Sequence, residues 1–166
     1  PVKNYLSNKE KKVNSPKISL NREEKSAKIF LALLVKYPFL LELALAKLPS
    51  EYLSGQNSAD LYSALLMYYT KNQEIADYPH LRESLSHELS PELLAFLDEI
   101  ALLGEVEFSQ FDESRAQNEA LDLILFLKNN FTLKKRKQLE RMIKAAELKN
   151  NEAEINDLME QLKSLN

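Results

Sequence analysis

The stretch ALDLILFLKNNFTLKKRKQLERMIKAAELKNNEAEINDLMEQLKSLN, residues 120–166, decides how this chain is read. From Asp112 to Asn150 there is neither Pro nor Gly, so nothing in the covalent chemistry interrupts a helix there. Ala120, Leu121, Leu123, Ile124, Leu125, Phe126 and Leu127 form an almost continuous apolar run, as expected of a central core helix. Asn129 and Asn130 are poor interior helix residues and offer a hinge. The helical pattern then resumes through Leu139, Met142, Ile143 and Ala146. An unbroken helix over 113–149 would be roughly 55 Å long at about 1.5 Å per residue. A bundle of about 100 residues has a radius of gyration of only about 13 Å. The far half of that helix is therefore expected to project, or to bend at the Asn pair. Asn150-Asn151 makes a short connection, which implies an antiparallel return. Ile155, Leu158, Met159, Leu162 and Leu165 form the stripe of the final helix.

Working outward, the composition bounds the class. With 166 residues the chain holds one domain and a small appendage. Gly55 and Gly104 are its only glycines, which argues against an all-β fold with many tight turns. It has no Cys, so it offers no disulfide and no thiolate metal site. The most apolar stretch, Ile29 to Leu48, is interrupted by Lys36, Pro38, Glu42 and Lys47, so no membrane span is expected. Net charge is −3 but unevenly placed. Residues 37–113 hold three Lys/Arg against fourteen Asp/Glu, giving −11, whereas residues 132–149 hold seven against two, giving +5. The pattern is an acidic body with a basic neck.

The fold class expected is all-α: a multi-helix bundle, then a long helix and a C-terminal antiparallel helical hairpin. Residues 1–20 read as a linker, 21–131 as the bundle and 132–166 as the hairpin. The start at Pro1 suggests a fragment that follows an upstream domain. Asn21 is the expected N-cap of a first helix, with Glu24 in the capping-box position and Ala27, Phe30, Leu31, Leu34 and Val35 on its apolar face. Pro38 ends it and opens a second helix, Phe39 to Lys47, whose apolar residues all round predict deep burial. Asn57 or Ser58 is expected to cap a third, Ala59 to Lys71, with Leu61, Leu65, Tyr68 and Tyr69 inward and Met67 in the core. A short fourth helix is expected within 78–88. Ser90-Pro91-Glu92 is a strong helix start, and Gly104 the expected stop of the fifth helix. Glu105–Phe108 is the one weak strand signal.

Chemistry-bearing constellations are sparse. His80 and His87 stand seven apart, whereas helical metal pairs are usually three or four apart, so no metal site is expected. Two glycines cannot build a phosphate loop. The acidic pairs Asp98/Glu99 and Glu105/Glu107 lack a partner base. Neither catalysis nor a cofactor is expected of this chain. The run Lys134, Lys135, Arg136 and Lys137, with Arg141 beyond it, suits electrostatic steering; little aromatic interleaving accompanies it, so base stacking is not suggested.

Residues Arg22–Gly55, REEKSAKIFLALLVKYPFLLELALAKLPSEYLSG, resemble the helicase-binding C-terminal domain of bacterial replicative primases of the DnaG type. The likeness lies in a leucine-rich helix end, a Pro and a second apolar helix (IFLALLVKYPFLLELA), then a Leu-Pro-x-x-Tyr-Leu segment, Leu48 to Leu53. It lies also in the long helix feeding a hairpin that closes with EINDLMEQLKSLN. The resemblance covers about residues 21–166. It implies a bundle that stimulates the hexameric replicative helicase and a hairpin that attaches to the helicase N-terminal domain, coupling RNA primer synthesis to unwinding. It implies a bacterial cytoplasmic setting, nucleic acid reached only through the complex, and the polymerising active site elsewhere in the parent primase. The partner-binding candidates are then Leu139, Met142, Ile143, Ala146, Leu148, Ile155, Leu158, Met159, Leu162 and Leu165. A hairpin exchanged between two copies is a further expectation. Two alternatives stand beside this: the N-terminal collar domain of the helicase itself, and a helical nucleic-acid-binding domain.

Overall fold

A computed structural model describes residues 16–72 and 77–165, with side chains from Arg22 onward. Of the linker expected over 1–20, residues 1–15 lie outside the described residues, while Pro16 to Leu20 are helical and belong to α1. Every regular element described is helical: α1 (Pro16–Lys36), α2 (Leu40–Lys47), a 3₁₀ turn (Ser50–Tyr52), α3 (Gln56–Asn72), α4 (Tyr78–Leu85), α5 (Pro91–Glu107), α6 (Glu113–Leu148) and α7 (Glu152–Ser164). The all-α bundle expected from the sequence is what the chain forms.

The centre of the bundle is α1. Phe30, Leu31, Ala32, Leu33, Leu34 and Val35 are consecutive and all buried, so this half of α1 is covered on every side. It packs chiefly on α5, then α6 and α3. This reverses the expectation that α2 and residues 120–127 would be the enclosed segments. α2 buries Leu40, Leu41 and Ala44 but leaves Leu45 49% exposed. On α6, Ala120, Ile124 and Leu127 are buried, whereas Leu121 and Leu125 face outward. The reason is layering: α6 covers one flank of the body, and its outer apolar row meets no further element among the described residues. Met67, expected in the core, is likewise exposed, and Tyr62 takes the buried position on α3, its hydroxyl donating to the Leu48 carbonyl at 2.7 Å.

Several boundaries differ from the sequence reading. α1 begins at Pro16, so Asn21 is inside the helix and not its cap. The fixed φ of proline suits a first helical position, and Lys17 to Leu20 bring nothing that breaks the helix. α3 begins at Gln56, ahead of both expected caps; Gly55, at φ +91, accepts the first helical bond from Ala59 N–H, so Gly55 is the cap and Ser58 is buried in the helix. Asp77 caps α4 by accepting from His80 N–H, and Ser90 caps α5 by accepting from Leu93 N–H. The weak strand signal at Glu105–Phe108 is overruled, since Glu105 to Glu107 form the last turn of α5.

Gly104 does not stop α5, which continues to Glu107. It lies where α5 crosses α1: a Cβ at this position would sit 2.7 Å from the Ala32 carbonyl oxygen. Ala32 and Gly104 are both small, which lets the two backbones approach. We predict that Gly104→Val destabilises the bundle by about 1–3 kcal/mol through overpacking against α1 backbone. Urea unfolding followed by circular dichroism checks it, and an unchanged midpoint would contradict this account of the crossing.

Candidate partner-binding surface

The long helix carries the site. α6 runs for 36 residues and passes through Asn129 and Asn130 without a break, so the pair offered as a hinge lies in continuous helix. It starts at Asp112, whose side chain accepts from Arg115 N–H at 2.8 Å. Its first half lies antiparallel to α1. At one end the Tyr37 hydroxyl lies 3.0 and 2.7 Å from the carbonyls of Phe108 and Phe111, just ahead of α6. At the other end the Arg22 guanidinium stands over the Phe126 ring at 5.7 Å. Contacts with the body reach Lys134, and a second core begins at Leu139.

The neck between them is a polar and aromatic clasp. Lys134 pairs with Glu23, and Glu23 also accepts from the Ser54 hydroxyl at 3.2 Å. Tyr52 and Phe131 lie 4.4 Å apart between ring centroids, with Lys135 at 5.9 Å from the Phe131 ring. The four consecutive cations therefore do not form one face. Successive residues of a helix point in different directions, so Lys134 turns to the body while Lys137 is exposed. Of the expected steering residues, Lys135, Lys137 and Arg141 are exposed, with Lys135 near the Phe131 ring; Lys134 is engaged at the clasp and Arg136 is half-buried.

Beyond the neck, α7 turns back along α6. Asn150 adopts φ +51, and the bonds from Asn151 N–H to Ala146 and from Asn150 N–H to Glu147 form a Schellman end to α6. Asn151 then caps α7, accepting from Glu154 N–H while its amide donates to the Glu154 carboxylate. Leu139, Ile143, Ala146 and Leu158 make a small core of their own, with Ile155, Leu162 and Leu165 packed against it. These seven of the ten partner candidates hold the hairpin together. The other three are available: Leu148 at the tip is 87% exposed, and Met142 and Met159 are each 41% exposed.

Helical spacing arranges the rest. Lys137, Arg141, Lys144 and Leu148 follow one another at four, three and four residues, on the face of α6 opposite Leu139, Ile143 and Ala146. All four are exposed. The hairpin thus presents a basic ridge that ends in a bare leucine. Lys144, Lys149 and the exposed Leu133 belong with this surface and were missed by reading stripes alone; the spacing of Lys137, Arg141 and Lys144 was the signal that could have found the ridge.

A second feature lies at the opposite pole. A groove of about 540 Å³ runs between the end of α1, the start of α4 and the middle of α5, with Val35, Pro38, Ala101 and Leu102 as apolar lining and Asp77, Asp98 and Glu105 among its acids. Leu102 is 67% exposed, as is Val106 one turn on at 68%. Arg82 grips Asp98 through Nε at 2.6 Å and a second nitrogen at 3.0 Å, and the Tyr78 hydroxyl donates to the same carboxylate. The bonds from Arg82 first, then Tyr78, hold the Asp98 carboxyl below its ordinary range. The hydrogen bond with Asp77 raises His80 above the usual histidine value. Among the described residues no cluster of three or more His, Asp or Glu could hold a metal ion, and no helix is long and apolar enough to cross a membrane.

The chain matches no protein-family model, no curated protein and no solved structure.

Because the folded value of Asp98 is lowered, its pairing contributes stability that is present above the unfolded carboxylate value, near 3.8, and is lost as pH falls through the folded value. Asp98→Asn should therefore lower the thermal midpoint at neutral pH, and the gap to the parent chain should close in acid below pH 3.8. A gap that persists unchanged into acid would show that the ion pair is not its source.

Proposed function

We propose that this chain is a protein-interaction module, the helicase-binding C-terminal domain of a bacterial replicative primase. In this reading it catalyses nothing itself. It works in the bacterial cytoplasm, where the hairpin holds the N-terminal domain of the hexameric helicase and so keeps primer synthesis at the fork, while the bundle tunes helicase activity. Nucleic acid is reached only through that complex.

The observation that carries the reading is the hairpin's separate core. Leu139, Ile143, Ala146 and Leu158 satisfy one another and leave the outer face free. That surface has the anatomy of a docking site: bare Leu148 at the end of a ridge of cations on α6, with Met142 and Met159 part-exposed at the flanks of the α6–α7 seam. The sequence likeness over Arg22–Gly55 supports the same assignment. In this mode the apolar residues supply affinity and Lys137, Arg141 and Lys144 speed encounter with an acidic partner surface.

Titration calorimetry against the N-terminal domain of the replicative helicase tests it. Because α6 is clasped to the body through Lys134, the truncation belongs after Lys137. The intact chain should bind with micromolar or tighter affinity, and the form lacking 138–166 should not bind while keeping the circular dichroism of the bundle. Leu148→Ser should weaken binding by about tenfold or more, as expected for a central apolar anchor. Absence of binding by the intact, folded chain would overturn the reading.

A further inference from the structure

Both poles bear bare apolar surface, and one face of each is opposite in charge: the ridge on α6 is basic, while α7 behind it is acidic through Glu152, Glu154, Asp157 and Glu160. At one pole lie the groove with exposed Leu102 and, near it, Val106. The acids Glu107, Asp112 and Glu113 are exposed at the same end, around the junction of α5 and α6. At the other pole lies the ridge of Lys137, Arg141 and Lys144 with Leu148 at its tip. A chain's own tip does not reach its own groove. α6 begins beside the end of α1, next to the groove, and carries the tip away along a continuous helix, placing Leu148 about 50 Å from that end at about 1.5 Å per residue.

We infer that the groove receives the hairpin tip of a second copy of this chain, so that molecules associate head to tail. Leu148 of one copy would cover Leu102 and Val106 of the next, and the basic ridge would lie along the acidic junction. Such a contact is heterologous: a pair keeps one groove and one tip unsatisfied, so association continues beyond a pair unless it closes into a ring. This goes beyond the helicase reading: the tip is the surface that reading assigns to the helicase, so the two partners would compete for it, whereas the groove lies away from the hairpin.

Sedimentation velocity over a wide concentration range tests it. The weight-average mass should rise with concentration at low salt and fall at about 0.5 M NaCl, where the screening length drops to about 4 Å. The groove variant Leu102→Ser/Val106→Ser and the tip variant Leu148→Ser/Lys144→Gln change only exposed side chains. Each should weaken self-association by about tenfold or more. Mixed together, they should form one-to-one pairs and nothing longer, because only one intact groove and one intact tip remain per pair. A chain monomeric at every concentration would overturn the inference. So would a dimer that persists in both variants, as hairpin exchange would give. The groove variant retains its hairpin, so its calorimetry with the helicase domain reports on the proposed function alone.

Discussion

One helix has to serve two cores that do not touch. The first half of α6 lays Ala116, Ala120, Ile124 and Leu127 on the bundle, and the second half lays Leu139, Ile143 and Ala146 on α7. Between Leu127 and Leu139 no buried apolar residue holds it; the helix is kept there by its own backbone bonds and by the clasp of Lys134, Glu23, Tyr52 and Phe131. The direction of the hairpin, and everything it presents, follows from that span being helical.

The bundle supplies a rigid base for this lever. Its stiffness comes from α1, which is covered all round, and from the close α1–α5 crossing that Gly104 and Ala32 permit. Tyr37 then ties the end of α1 to the loop before α6, which fixes the start of the long helix. Its far anchor is the clasp at Lys134. Held at both ends of the body, α6 leaves it in a set direction. The small second core is sufficient to fold α7 back, with the turn at Asn150-Asn151 satisfying the orphan backbone groups at that end. Little apolar surface is spent on the outside of the hairpin, which is why Leu148 stands bare.

The fold was legible in the sequence where local chemistry decides it. The absence of Pro and Gly from 112 to 150, the cap at Ser90 and the Asn-Asn turn all read through to the structure. What was not legible is set by tertiary neighbours. Periodicity cannot say which helix is sandwiched, so α1 was read as one-sided and α2 and residues 120–127 as enclosed, the reverse of what is found. Gly104 reads as a stop by propensity and acts as a contact by packing, a distinction only α1 can make. For the binding surface, the stripes identified the hairpin but not its exposed face, because the stripe residues are those that pair α6 with α7. The clasp joins residues over 100 positions apart in the chain, Glu23 and Lys134, and no local pattern encodes it.

Hydrogen exchange along α6 tests the two-core account most directly. Amides of Ala116 to Leu127 should exchange only with global unfolding of the bundle. Those of Leu139 to Leu165 should exchange faster and together, as one cooperative unit that opens while the bundle stays closed. Leu158→Ala should speed exchange in the second set and leave the first unchanged. Equal protection along all of α6 and α7, with both sets responding to that substitution, would contradict the account and make the hairpin part of a single core.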